Sequence, residues 1–333
     1  MHYISLSIVI FVVYFSSGCS SSTTASDERI DEPSTGQTDV GSVTPDDNGE
    51  SENNPLVSPS ISNPLDGVGT VLRIGSDFGF LEGPVYRPSD NSLYFSDIPK
   101  ETIFRRQADG TIEVFRENQP TNGLVFDEQN GLLVATHGGR SLTRIDEFGE
   151  VAVLADNYEG DLLNSPNDIA LHSNGDVYFT DPPYGIDTST SEVGCAGVYR
   201  LTVDGKLSRF WCNGIETRPN GIALSPNQDR LYVSFTLSGQ ILSWTLNSDG
   251  SVGEVGTFAE TAGSADGMVV DGAGNLYVAS VVGIEVFSSD GVRWGEISIP
   301  EQVTNCTLGG PNGKTLFITG KTALYSVELM SIN

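Results

Sequence analysis

The chain has 333 residues, 38% of them hydrophobic, with 38 glycines and 44 acidic against 17 basic residues, a formal net charge of −27. That acidity argues against nucleic acid as a partner, because phosphate binding needs clustered Lys and Arg. Long helical periodicity is absent, and short β-branched or aromatic segments bounded by Gly, Asn, Asp and Pro indicate one large all-β domain.

Residues 1–18 are apolar from Ile4 to Phe15 and end in Ser16-Ser17-Gly18 before Cys19. The apolar run is short for a transmembrane helix and fits the hydrophobic region of a signal peptide. Ser-Ser-Gly-Cys followed by three serines resembles the lipobox of bacterial lipoproteins, although the segment before it has no Lys or Arg and Ser16 stands three positions before Cys19. That resemblance implies cleavage before Cys19, lipidation there, and an outer-membrane, periplasmic or cell-surface location with membrane contact only through the lipid. The other reading is an ordinary signal peptide or an uncleaved anchor.

Residues 19–67 are rich in Ser, Thr, Asp, Glu, Pro and Asn. From Ser20 to Asp66 there are ten acids and one base, Arg29. A stretch this poor in apolar surface cannot offset its ordering entropy, so a disordered tether is expected.

From residue 68 to 333 the chain repeats. Six short strands open on a polar residue: Glu82-Gly-Pro-Val-Tyr, Asn122-Gly-Leu-Val-Phe, Asn167-Asp-Ile-Ala-Leu, Asn220-Gly-Ile-Ala-Leu, Asp266-Gly-Met-Val-Val and Asn305-Cys-Thr-Leu-Gly. Their spacings are 40, 45, 53, 46 and 39 residues. A turn follows each, then a second strand such as Leu93-Tyr-Phe-Ser or Leu231-Tyr-Val-Ser, a third, and in most units a fourth. Six units of four antiparallel strands describe a six-bladed β-propeller. Asn130-Gly131, Asn174-Gly175 and Asn312-Gly313 sit mid-unit and read as hairpin turns. Val71–Phe78 precedes the first unit and can supply the outer strand that closes the ring. The longest spacing holds Asp181-Pro-Pro-Tyr-Gly through Cys195, an insertion near one rim. Cys195 and Cys212 flank one strand pair and form either a disulfide or two buried thiols, while Cys306 reads as buried and inert.

Innermost strands line a propeller's channel, so the six opening residues gather at one mouth. Glu82 and Asp266 bring carboxylates, and the four asparagines bring amide oxygens. Hard oxygen donors suit Ca²⁺ or Mg²⁺ and take Mn²⁺ or Zn²⁺ less selectively, and two carboxylates balance one divalent charge. A water-filled polar channel without metal is the alternative.

Leu81-Glu-Gly-Pro-Val-Tyr, Tyr94-Phe-Ser-Asp-Ile-Pro, Ser165-Pro-Asn-Asp, Tyr178-Phe-Thr-Asp-Pro-Pro-Tyr-Gly, Arg218-Pro-Asn-Gly, Asp266-Gly-Met and Thr304-Asn-Cys-Thr-Leu-Gly-Gly together resemble the SMP-30/gluconolactonase/LRE-like family over residues 72–328. The resemblance implies a six-bladed propeller that holds one divalent cation, Ca²⁺ above the others, and hydrolyses sugar lactones. It makes Glu82, Asn220 and Asp266 metal ligands, sets Asn167 on metal or substrate, and makes Asp266 the acid–base candidate. Asn122, Asp168 and His137 would join Asn167 along the substrate pocket, with a structural, hydrogen-bonded histidine as the other reading of His137. Some sugar-lactone hydrolases of the family carry an arginine two residues before the blade-three Asn, and Ser165 stands there here. No Gly-x-Ser-x-Gly elbow is present, which leaves a serine nucleophile unsupported. An arylesterase or organophosphate hydrolase on the same site, or a non-catalytic binding propeller, are the competing readings. A monomer is the default expectation.

Overall fold

A computed structural model describes residues 63–330 and 332. The expected signal peptide, the expected lipidation at Cys19 and almost all of the expected acidic tether fall outside the described residues.

Six four-stranded antiparallel sheets form the described chain, together with a small hairpin pairing Asn157–Tyr158 with Asp161–Leu162. There is no α-helix among the described residues, only two 3-10 turns at Ile98–Lys100 and Thr188–Thr190. The expected six-bladed propeller is borne out. The innermost strands are Leu81–Arg87, Leu124–Phe126, Ile169–Leu171, Pro219–Leu224, Met268–Val270 and Val303–Gly309. Each is followed by a buried second strand: Ser92–Asp97, Leu132–Thr136, Val177–Asp181, Arg230–Phe235, Leu276–Ser280 and Thr315–Gly320. These second strands are apolar on both faces because each blade is covered on both sides by its neighbours, so they read as continuous runs rather than alternating ones. The last blade takes its outer strand from the start of the domain, where Leu72–Gly75 pairs antiparallel with Leu324–Glu328.

The core lies between blades. Leu133, Ala135, Ile169, Phe179 and Tyr199 fill the space between the second and third. Ala170, Tyr178, Ile222, Val233 and Trp244 fill that between the third and fourth. Polar bonds cross the same interfaces. Ser96, Thr180 and Ser234, all near the ends of second strands, donate to the carbonyls of Asn122, Asn220 and Asp266 in the following blades, at 2.6, 2.6 and 2.7 Å. Thr304 closes the circle by donating to the Leu81 carbonyl at 2.6 Å.

The glycine after four of the six opening residues has a packing cause. A Cβ on Gly83 would sit 2.0 Å from the Asn122 carbonyl oxygen, and one on Gly267 would sit 1.9 Å from the Asn305 side chain. Each of these glycines abuts the opening residue of the next blade, so the ring closes only where the side chain is missing. Gly83 is also left-handed, with φ of 50°. Gly83→Ala is expected to cost at least the upper end of the about 1–3 kcal/mol typical of overpacking, since backbone rather than a side-chain tip must move. A denaturant midpoint equal to that of the parent protein would contradict this account.

Candidate active site

The opening residues converge where the innermost strands begin. Glu82 is 4% exposed, and Asn122, Asn167, Asn220 and Asn305 are similarly buried. Asp266 is partly buried, yet its Oδ1 is shut from solvent and has no hydrogen-bond partner. Burial, and then the charges of Asp266 and Asp168, hold the Glu82 carboxyl well above the usual carboxylate range. Burial, followed by Asp168, raises Asp266 in the same way. No Lys or Arg appears among the groups acting on either acid. Glu82, Asp168 and Asp266 thus raise one another's cost of ionisation without a countercharge, a cost that protons or a cation would relieve.

Asn305 ties two of these acids together. Its Nδ2 donates to Glu82 Oε2 at 3.3 Å and reaches Asp168 Oδ2 at 3.5 Å. The sequence gives this residue no role beyond membership of the ring. Asn167 is held by its backbone, its N–H donating to the Thr180 carbonyl and its carbonyl accepting from Gly123 N, both at 2.8 Å.

Asp168 stands where four other blades have glycine, and so brings a side chain into the channel wall. Its carboxyl accepts from the backbone N–H of Ile169 at 2.9 Å, and burial pushes it up to about 6. With Asn305 and Cys306 it borders a cavity of about 240 Å³ that runs along the innermost strands past Val85, Val125 and Met268. This position places it between the acids of the mouth and the apolar depth of the channel. Cys306 is buried, and its Sγ lies 3.5 Å from the Tyr277 carbonyl.

The insertion after the blade-three second strand folds over the mouth. Its ends are drawn together by Asn164, whose Nδ2 donates to the carbonyls of Asp181 and Cys195 at 3.0 and 2.9 Å. Cys195 and Cys212 are joined by a disulfide with a Cα–Cα distance of 5.8 Å. Gly185 N donates to Ser165 Oγ at 2.9 Å, and Ser165 Oγ donates to the Pro182 carbonyl at 2.6 Å. Ser165 therefore seats the insertion. His137 packs on the other side: a Cβ on Gly185 would lie 3.0 Å from its Nε2. The His137 Nδ1 is buried without a partner, and burial lowers the imidazole below its ordinary value. That orphan atom disfavours a purely hydrogen-bonded structural histidine.

The insertion also delivers Tyr184, whose hydroxyl donates to Thr236 Oγ1 at 2.7 Å and accepts from Asn220 Nδ2 at 3.4 Å. Sequence reasoning singles out neither Tyr184 nor Thr236. Tyr184 lies within the Asp181-Pro-Pro-Tyr-Gly signature, which is the available signal; Thr236 directly follows a buried strand and carries none.

Fold and site together define a six-bladed β-propeller with its polar groups gathered at one channel mouth and an inserted loop beside them. The chain belongs to the SMP-30/gluconolactonase/LRE-like family, whose sequence profile matches residues 80–322. It is 34% identical to a gluconolactonase of Zymomonas mobilis over 303 residues, covering 81% of this chain and 84% of that one. A pentonolactonase of Haloferax volcanii is 26% identical over 266 residues, covering 76% and 83% respectively. Among solved structures, a gluconolactonase from Xanthomonas campestris superposes with a TM-score of 0.73 at 34% identity, covering 78% of this chain and 89% of that one.

The donors present fit a divalent cation. Among the described residues no three His, Cys, Asp or Glu side chains gather into a metal-holding group, so a cation here would combine the carboxylates of Glu82 and Asp266 with amide oxygens. The unpartnered Asp266 Oδ1 and the uncompensated acids beside it are what such an ion would satisfy.

Proposed function

We propose that this protein hydrolyses a sugar lactone at the channel mouth, with one divalent cation, Ca²⁺ by preference, held by Glu82, Asn220, Asp266 and Asn167. The observation that carries the reading is the orphaned Asp266 Oδ1 beside the uncompensated Glu82 and Asp168 carboxyl groups, in a chain whose relatives include a gluconolactonase and a pentonolactonase. A bound divalent cation supplies Lewis-acid polarisation of the lactone carbonyl and stabilises charge developing on its oxygen.

The protein's own groups do the rest. Asp266 takes a proton from the attacking water as its oxygen adds to the carbonyl carbon. As the ring C–O bond breaks, the same carboxyl returns a proton to the departing ring oxygen. Glu82 and Asn220 hold the floor of the site, and Asn305 keeps the Glu82 carboxyl oriented through its 3.3 Å bond. Asn122, Asn167 and His137 face the sugar, and the insertion around Tyr184 excludes bulk water from one side.

Turnover of a panel of aldonolactones with and without EDTA tests this. Activity is expected on at least one lactone, lost on chelation and restored by added Ca²⁺. A folded protein that hydrolyses none of them with Ca²⁺ present, or that hydrolyses them equally in EDTA, overturns the reading.

A further inference from the structure

Asn220 is held from outside the ring by two hydroxyls. Its Nδ2 donates to Thr236 Oγ1 at 3.0 Å and to the Tyr184 hydroxyl at 3.4 Å, while Tyr184 donates its own proton to Thr236 Oγ1 at 2.7 Å. Thr236 comes from the corner after the blade-four second strand, and its backbone N–H donates to the Arg218 carbonyl at 3.1 Å. Tyr184 comes from the blade-three insertion and is pinned on its own side by the Ser165 contacts to Pro182 and Gly185. The guanidinium carbon of Arg218 lies 5.0 Å from the centre of the Tyr184 ring. Arg218 is itself left-handed, with φ of 49°, two residues before Asn220. Three segments distant in sequence therefore meet on one amide.

An amide has two ends of nearly equal shape and opposite polarity. Rotating it by half a turn would offer NH₂ instead of oxygen to whatever lies in the channel, and only hydrogen bonds decide between the two. Tyr184 has committed its proton to Thr236, so it meets Asn220 with lone pairs, and both hydroxyls accept from Nδ2. The Asn220 side chain also donates to the Asp266 carboxyl, so these bonds all use the NH₂ end and leave Oδ1 for another partner.

We propose that Tyr184 and Thr236 are positioning residues that fix the orientation of the Asn220 amide, presenting Oδ1 to a cation in the channel. The inference rests on the reading of Asn220 as a cation ligand. Neighbours that orient a metal ligand are typically worth 10–100-fold in metal affinity, and Thr236 and Tyr184 stand in that relation to Asn220.

The test is calorimetric titration of CaCl₂ alone into the metal-stripped full chain. Thr236→Val is expected to weaken Ca²⁺ binding about 10–100-fold, and Tyr184→Phe to weaken it less but in the same direction. Thr236→Ser, which keeps the hydroxyl, should bind like the parent. In an Asn220→Asp background no NH₂ remains to be oriented, so adding Thr236→Val should change affinity little. Should Thr236→Val fail to fold, Tyr184→Phe, lacking a single oxygen, carries the test. Parent-like affinity in folded Thr236→Val and Tyr184→Phe overturns the positioning role and leaves the cation reading intact. An equal loss in the parent and Asn220→Asp backgrounds also overturns it, showing a general loosening of the mouth. A parent protein that binds no Ca²⁺ overturns the cation reading, and this inference with it.

Discussion

Asp266→Asn is expected to lower kcat for lactone hydrolysis by about 10²–10⁴-fold, the range that a positioned general acid–base contributes. The replacement keeps shape and one oxygen but removes the proton-accepting carboxylate and one of the charges facing the proposed cation. Affinity for Ca²⁺ should fall too, so turnover must be compared at Ca²⁺ concentrations that saturate the variant. Without a cation, burial and the neighbouring Asp168 hold Asp266 above the ordinary carboxylate range; a cation beside it would oppose that rise and favour the carboxylate that accepts the proton. Near-normal turnover by Asp266→Asn with the ion bound would leave Asp266 a ligand and no more.

Asp181 yields the second large effect, on stability rather than activity. It ends the blade-three second strand, fully buried, with one oxygen accepting from Asn164 N at 2.8 Å and the other without a partner. Burial pushes its carboxyl up to about 7, and the backbone N–H groups of Asn164 and Ser165, then Arg140 and Arg209, only partly oppose this. Tyr199, whose hydroxyl also lacks a partner, faces the same charge. The unfolded chain releases this proton near the ordinary value of 3.8, while the folded chain keeps it to about 7. Between those values the folded state binds more protons, so stability falls as pH rises. The loss is complete above about pH 7 and amounts to about 4 kcal/mol at about 1.4 kcal/mol per unit. Asp181→Asn, uncharged throughout, is expected to flatten that decline: close to the parent at about pH 4 and more stable at about pH 8. Denaturant unfolding across this range checks it, and parallel pH profiles for the two proteins would refute it.

The propeller was legible because its signals are local. Leu93-Tyr-Phe-Ser and its counterparts announce strands buried on both faces, and the turns between strands announce themselves by Asn, Asp and Gly. Even the glycine after Glu82, Asn122, Asn220 and Asp266 records a contact, since the next blade's opening residue occupies the space a side chain would fill. Much of the site was legible for the same reason, as equivalent positions in a repeat must face one another across the channel. What the repeat could not convey is how its exceptions pack. Asp168 and Cys306 replace the glycine in two blades, and only the fold shows that they open onto the apolar depth of the channel. Asn305 looked like a sixth copy of one position, yet it links the carboxyls of Glu82 and Asp168. Tyr184 belongs to an insertion outside the repeat, whose path over the mouth depends on Asn164, Ser165 and the Cys195–Cys212 bond rather than on any periodicity.

The pairing of Leu72 with Ser326 and of Arg73 with Tyr325 has a consequence for how the molecule comes into being. The first strand of the array to leave the ribosome must wait for the last described strand before it finds its partner. Contacts so distant along the chain make for slow folding, because the loop they close is long. Until then both sides of the gap present unpaired strand edges open to other chains. A truncation that removes Leu324–Glu328 would leave Leu72–Gly75 without its partner strand and the circle open.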